Sequence, residues 1–256
     1  MKAVAFSVVA PTQTRRQQPT RARSTEESRL NLALFDLDHT LIPLDSDYEW
    51  GAFTTAMGWN DTDWFTRRNE VYYAQYKAGT LDIHNYIRFA TEAIRRQGAI
   101  SSEAARSRFM GDTIQKAILP QALALVEQHR QAGDSVVIVT ASNEFITRPI
   151  ADAFGVSELI AINLERCPNS GWFTGEIVGT PSFREGKVVR VHEWLQARQL
   201  DWDDVETTFY SDSINDLPLL EHVTHPVATN PDDVLRELAS ERGWRILDLF
   251  GLKLLH

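Results

Sequence analysis

The sequence predicts a doubly wound α/β fold, a mostly parallel sheet with helices on both faces and a helical insertion after the first strand. Three observations predict it. Short apolar runs at 32–37, 135–140, 159–162, 205–210 and 226–228 alternate, after residue 118, with segments of helical period. Alternation of this kind builds βαβ units with right-handed crossovers. The runs are unbroken rather than alternating polar and apolar, which suits strands covered on both faces. Three of them also end in chemistry-bearing residues, as strands do where a parallel sheet turns its carboxyl edge towards a ligand. Together these describe a Rossmann-like core.

The first run, Leu32-Ala33-Leu34-Phe35, passes into Asp36-Leu37-Asp38-His39-Thr40. Next comes a stretch of some eighty residues with helical period. Ser46 and Glu49 have capping-box spacing and Gly58 closes the helix they open. Asn60 or Asp61 caps a second helix up to Gly79, Thr80 a third up to Gly98, and Ser101 or Ser102 a fourth running towards Leu119. Pro120 suits a first helical position, and its helix reaches Gly133. The strand at 135–140 ends in Thr140, and the following helix, ending at Gly155, is kinked or restarted at Pro149. After the strand at 159–162, Asn169-Ser170-Gly171 turns a hairpin. A helix over 186–199 carries Lys187 at its start, the strand at 205–210 runs into Asp212 and Asp216, and a last helix spans 231–242. The expected division is a disordered extension over 1–30, a core over 31–44 and 119–256, and the insertion over 45–118.

Composition narrows the function classes. With 256 residues and 43% apolar content, the chain can bury a large core. Its net charge is -9, and because residues 1–30 carry six Lys or Arg against two Glu, the remainder stands at -13. Such a body repels nucleic acid and anionic membranes, so neither is expected as a partner. The single cysteine, Cys167, cannot form an internal disulfide, which fits a reducing, cytoplasmic setting. Met1-Lys2 and the apolar residues 3–10 resemble a signal peptide only faintly, and no stretch reaches the length of a membrane span.

Asp36 and Asp38, two apart at a strand end, point the same way and ask for a cation. With Thr140, Lys187, Asp212 and Asp216 they would bring carboxylates, a hydroxyl and an ammonium to one sheet edge. Phosphoryl transfer from a monoester requires such a set. A carboxylate nucleophile and an anionic phosphate meet only if a cation lies between them, and Mg²⁺, which takes carboxylate oxygens and keeps waters, suits Asp36 and Asp212. Lysine and threonine would hold the other phosphoryl oxygens, and a second carboxylic acid, Asp38, would trade a proton with the leaving oxygen.

These four ordered motifs resemble the haloacid dehalogenase-like superfamily of hydrolases, in its phosphoserine phosphatase-like branch, over roughly residues 31–250. The resemblance implies that Asp36 is the nucleophile and a Mg²⁺ ligand, and that Asp38 is the general acid/base with its backbone carbonyl on the metal. It further implies that Thr140, with Ala141 beside it, binds phosphate, that Lys187 is the third-motif lysine, and that Asp212 and Asp216 form the metal-holding pair, with Asn215 beside them. The insertion would be the helical cap that closes over small substrates. Three positions depart from the pattern: His39 and Ser213 stand where glycine is usual, and Thr140-Ala141-Ser142 replaces hydroxyl-Gly-Gly. Dehalogenases lack the second aspartate and transport ATPases carry threonine there, so Asp38 argues against both. Asp45, Asp47 and Glu49 are candidates to contact a substrate amine, whereas Tyr72, Tyr73, Tyr76 and Tyr86 are expected in the core of the insertion. The expected activity is hydrolysis of a small phosphorylated metabolite resembling phosphoserine or histidinol phosphate. A phosphotransferase would share every catalytic residue, and a non-catalytic phosphate-binding module would have lost some of them.

Overall fold

The computed structural model describes residues 29–251. The extension expected over 1–30 therefore lies outside the described residues except at its end, where Leu30 already opens the first strand. In chain order the elements are β1 (Leu30–Phe35), α1 (Ser46–Ala56), α2 (Thr62–Lys77), α3 (Ile83–Ala90) and α4 (Glu92–Phe109), then a wide helical turn over Met110–Ile114 and α5 (Gln115–Ala117). There follow α6 (Pro120–Gln131), β2 (Ser135–Asn143), α7 (Glu144–Ala153), β3 (Glu158–Ile162), β4 (Leu164–Arg166), β5 (Phe173–Ile177) and α8 (Glu185–Gln196). The chain closes with β6 (Val205–Ser211), α9 (Leu217–Leu220), β7 (His225–Thr229), α10 (Asp233–Arg242) and β8 (Arg245–Leu247).

Six strands form one sheet in the order β3-β2-β1-β6-β7-β8, with every neighbouring pair parallel, and β4 and β5 make a separate antiparallel hairpin. From β1 the chain winds first towards β3 and later, from β6, towards β8. The direction of winding thus reverses between β1 and β6, and a doubly wound sheet opens its ligand crevice at that point. Register levels the strand ends there: Phe35 lies opposite Ile138 on one side and Tyr210 on the other.

Side chains alternate between two apolar layers, as the two-residue period of a strand requires. Ala33, Phe35 and Ile138 face one layer with α6 and α7, while Leu32, Leu34, Val137 and Val139 face the other with α8, α9 and α10. The helical insertion joins the first layer directly. Trp50 of α1 is 2% exposed and stacks edge-on against Phe109 of α4 at 5.4 Å and Phe145 of α7 at 5.9 Å. Ile83, Ile87, Ile94 and Ile114 belong to the same cluster, so insertion and sheet share one core. The hairpin packs into the same cluster through Leu164 and Phe173, and Trp172 Nε1 donates to Ile94 O at 2.9 Å.

Several boundaries differ from expectation for local reasons. Asp45, not Ser46, caps α1, accepting from Tyr48 N at 2.9 Å. Asp82, not Thr80, caps α3 through the amides of His84 and Asn85. Neighbouring polar residues compete for one cap, and sequence spacing alone does not choose between them. Gly98, at φ 76°, breaks the helical backbone within α4 as expected of that glycine. Pro149 does not interrupt α7. Its missing amide leaves the carbonyl of Phe145 without the usual helical donor, and Arg106 Nη1 replaces it at 2.9 Å while its guanidinium lies 4.4 Å over the Phe145 ring.

Because Trp50 ties the insertion to the sheet layer, Trp50→Ala should cost about 3–5 kcal/mol in urea unfolding and leave a single transition by both far- and near-ultraviolet circular dichroism. Separate melting of the helices at low urea would contradict the shared core.

Candidate active site

Residues just past the ends of β1 and β6 and in the last residues of β2 meet at the crevice. Asp36 continues the β1–β6 ladder for one bond, its amide donating to Tyr210 O at 2.9 Å, and the residue is 7% exposed. Lys187 reaches it from the first turn of α8. That approach depends on Gly186, where a Cβ would fall 2.0 Å from Pro181 O, so only glycine lets the helix start so close to the preceding loop. Lys187 is 1% exposed, and its Nζ donates to Asp36 Oδ1 at 2.8 Å and Asp216 Oδ2 at 2.7 Å. Ser211 Oγ adds a bond of 2.7 Å to the same Asp216 oxygen. Thr40 joins the β1 loop to the end of β6: its Oγ1 donates to Asp212 Oδ1 at 3.1 Å and accepts from Asp212 N at 3.0 Å.

Asp38 is held from two elements. Ser46 N, at the start of α1, donates to its Oδ1 at 2.8 Å, and Ser142 Oγ, near the end of β2, donates to its Oδ2 at 2.7 Å. Thr140 Oγ1 accepts from Ser142 N at 3.1 Å. His39, between Asp38 and Thr40, has φ 55°, a left-handed backbone that disfavours any side chain and accounts for glycine being usual there. Its carbonyl accepts from Asn230 Nδ2 at 3.0 Å, which fastens the strained loop to the end of β7.

Three buried carboxyls, Asp36, Asp212 and Asp216, gather with the half-buried Asp38 at this edge, where the buried ammonium of Lys187 meets Asp36 and Asp216. Burial pushes the Asp36 carboxyl up to about 7 against the opposing pull of Lys187, and burial followed by the charge of Asp45 pushes Asp38 up to about 6. Burial and then Asp36 hold Asp212 well above the usual carboxylate range. Burial alone would lower Lys187, but Asp216 and Asp36 outweigh it and hold the ammonium above its ordinary value.

A cavity of about 330 Å³ opens over this edge and is lined by Asp36, Asp38, Thr140, Ala141, Lys187, Asp212 and Asp216. Of the three acids expected near a substrate, Asp45 lines it and Asp47 and Glu49 do not. Asp47 lies one residue into α1 and is turned inward, its Oδ1 accepting from Asn143 Nδ2 at 2.8 Å. The tyrosines are a correction of the opposite kind, because Tyr72, Tyr73, Tyr76 and Tyr86 line the cavity together with Tyr48. Tyr72 packs edge-on against Tyr86 at 5.5 Å and Tyr76 lies against Phe183, so rings that pack within the protein also line the cleft, a double character that sequence spacing does not resolve. Tyr76 OH bonds Ser213 Oγ at 2.8 Å, Asn215 Nδ2 donates to Tyr76 O at 3.2 Å, and Arg184 Nη1 donates to Gly79 O at 2.7 Å, so the end of α2 is tied to the sheet edge. Ser142 and Ser211 also went unassigned, since a serine beside a strand end carries no distinguishing pattern.

The profile of the haloacid dehalogenase-like hydrolases matches residues 33–221, which spans all of these strand ends. The chain belongs to that family. Among its relatives, a Neisseria meningitidis protein named histidinol-phosphatase is 39% identical over 219 residues, covering 85% of this chain and 98% of the relative. A Mycobacterium tuberculosis protein named phosphoserine phosphatase is 31% identical over 224 residues, 84% of this chain and 70% of the relative. The crystal structure of a Bordetella pertussis protein of unknown function superposes with a TM-score of 0.82 at 47% identity, covering 87% of this chain and 100% of that one. A substrate-bound phosphoserine phosphatase complex, at 17% identity and a TM-score of 0.60 over 87% of this chain and 94% of that one, shares the family fold.

The crowding of carboxyls predicts a pH dependence. A raised pKa means that the folded state holds the proton more tightly than the unfolded chain, so ionising Asp36 between its ordinary 3.8 and about 7 lowers stability as pH rises. In chelator-treated protein, the stability of wild type minus that of Asp36→Asn should therefore fall across that window in urea titrations. A difference that is flat or rises with pH would contradict the reading.

Proposed function

We propose that the chain is a Mg²⁺-dependent phosphomonoesterase that works through an aspartyl-phosphate on Asp36. The observation that carries this reading is the buried Lys187 ammonium shared between Asp36 and Asp216 in the lining of an acidic cavity. The single ammonium of Lys187 does not balance the carboxyls gathered there, and the charge of Asp36 raises the cost of ionising Asp212. A hard divalent ion fits that donor set. No ready-made group of three or more His, Cys, Asp or Glu ligands occurs among the described residues, but Mg²⁺ needs only one or two carboxylates beside carbonyl oxygen, water and phosphate. Asp36, Asp212 and the backbone carbonyl of Asp38 would hold it, with Asp216 bracing the site through Lys187. Bound there, it would supply positive charge to the phosphoryl oxygens.

In the proposed reaction an Asp36 carboxylate oxygen bonds to phosphorus as the bond from phosphorus to the leaving oxygen breaks. That oxygen keeps the electron pair and takes the proton of Asp38, whose elevated pKa of about 6 suits a carboxyl that must carry a proton near neutrality. Water then attacks phosphorus, gives its proton to Asp38 and releases phosphate, restoring the Asp36 carboxylate. Thr140 and the amide of Ala141 are assigned to the phosphoryl oxygens, and Lys187 holds Asp36 in position and offsets its charge. The helical insertion acts as the cap, with α2 as its roof.

The cavity lining favours one substrate class. Among the described residues its lining carries Lys77, Lys187 and His39 but no arginine to receive a carboxylate in bidentate fashion, while Asp45 and five tyrosines surround the space for the leaving group. Carboxylate and tyrosine faces suit a cationic, ring-bearing amino alcohol, so histidinol phosphate is preferred over phosphoserine. The name of the Neisseria relative supports this reading. The single cysteine supports a place in the cytoplasm.

Purified protein with Mg²⁺ should hydrolyse histidinol phosphate with kcat/KM at least about tenfold above that for phosphoserine, because phosphoserine shares the ammonium but brings a carboxylate against the acidic lining. EDTA should stop both reactions, and Asp36→Asn should abolish them. Activity retained in Asp36→Asn would overturn the mechanism, and a preference for phosphoserine would overturn only the substrate. Asp45→Asn should raise KM for histidinol phosphate several-fold and leave KM for p-nitrophenyl phosphate unchanged. Equal effects on the two esters would remove Asp45 from substrate binding.

A further inference from the structure

We infer that Ser142 is the positioning residue for the proton-carrying carboxyl of Asp38, and that it thereby sets how well the chain hydrolyses esters of poor leaving groups. The inference rests on the assignment of Asp38 as general acid/base and adds a residue to which no role has been given.

Ser142 stands at one of the positions where this chain departs from the family pattern, and the departure brings in a hydroxyl. It is 7% exposed and lines the cavity, and β2 carries it there by running past Thr140 to Asn143. Its Oγ donates to Asp38 Oδ2 at 2.7 Å, while Ser46 N donates to Asp38 Oδ1 at 2.8 Å. One donor belongs to a sheet strand and the other to the first turn of α1, so the two bonds fix the carboxyl plane from opposite ends. Ser142 is itself held, because its amide donates to Thr140 Oγ1 at 3.1 Å and Thr140 is fully buried. The clamp therefore continues into the residue assigned to phosphate, and carboxyl and phosphoryl group are indexed to the same strand end.

A glycine or alanine at 142 would leave Asp38 Oδ2 without this donor and the carboxyl free to turn about its last bond. Proton transfer is sensitive to that angle, since the carboxyl must point at the leaving oxygen as its bond to phosphorus breaks. The sensitivity depends on the leaving group. An alkoxide cannot depart without the Asp38 proton, whereas p-nitrophenolate departs unprotonated. Aspartyl-phosphate formation on an alkyl ester thus needs the clamp, and on the aryl ester it does not. The hydroxyl also steadies Asp38 as a carboxylate between the two half-reactions, until water returns the proton.

The test compares kcat/KM, which reports the steps through aspartyl-phosphate formation, for p-nitrophenyl phosphate and for whichever of histidinol phosphate, phosphoserine and β-glycerophosphate the wild type turns over fastest. Ser142→Ala should lower the value for the alkyl ester by about tenfold or more and that for the aryl ester by less than about threefold, the range expected when a hydrogen bond orienting a reactive group is lost. Ser142→Thr, which keeps the hydroxyl, should restore the alkyl value. Ser142→Gly serves as a second variant should alanine unfold the chain, and thermal midpoints establish folding for each. Equal losses on both esters, or no loss on the alkyl ester, would overturn the inference. Asp38→Asn separates this failure from failure of the underlying reading. If Asp38→Asn discriminates between the esters and Ser142→Ala does not, only the role of Ser142 falls. If Asp38→Asn does not discriminate, or no alkyl ester is hydrolysed, the assignment of Asp38 falls with it.

Discussion

The ammonium of Lys187 between Asp36 and Asp216 is the interaction on which the rest of the site depends. Without it, two buried carboxyls would stand side by side unpaired, and both already raise the cost of ionising a third, Asp212. Removing one partner of a buried ion pair typically costs about 3–5 kcal/mol, because the survivor remains in a medium that cannot solvate it. The pair spans 151 residues of sequence on one side and 29 on the other, so it forms only when both halves of the sheet are in place. Its geometry in turn depends on a backbone detail, the missing Cβ of Gly186 that lets α8 begin against Pro181.

Two kinds of structure meet over this charge cluster. The sheet edge supplies short, doubly bonded carboxyls with little freedom, as in the Thr40–Asp212 and Ser142–Asp38 contacts. The insertion supplies aromatic faces and the acid Asp45, and it does so from a body whose Trp50 and isoleucines continue the apolar layer of the sheet. Only α2 stands apart from that layer, reaching over the cleft and fastened to the edge through Tyr76, Gly79 and their partners. On the proposed reading, this arrangement gives one rigid surface for the phosphoryl group and a second, tyrosine-rich surface for whatever is attached to it. Change confined to the second surface would alter the substrate and leave the chemistry in place.

Much of this was legible in the sequence because the informative residues sit where apolar runs stop. Asp36, Thr140 and Asp212 each follow such a run, and the order of strands with their intervening helices was enough to place them on one edge. Lys187 was legible from its position after Gly186 at a helix start, and residues 33–221 carry the family pattern that joins these stations. What was not legible depends on side-chain direction. Asp45 and Asp47 are alike in type and nearly adjacent, yet one faces the cavity and the other Asn143, because the turn of α1 separates them. The tyrosines show the same limit, since a ring can serve a core while its hydroxyl serves a site. Ser142 gives no signal until the partner of its hydroxyl is known, and His39 becomes intelligible only with its left-handed backbone and its tie to Asn230.

The central claim is that Asp36 carries the phosphoryl group during turnover, and trapping the phosphorylated chain tests it most directly. Rapid acid quench of the Mg²⁺-loaded protein during hydrolysis of a radiolabelled monoester, followed by peptide mapping, should find hydroxylamine-labile label on the peptide containing Asp36 and none in Asp36→Asn. Label on another residue, or turnover in single-turnover conditions with no labelled chain at any time, would contradict the account.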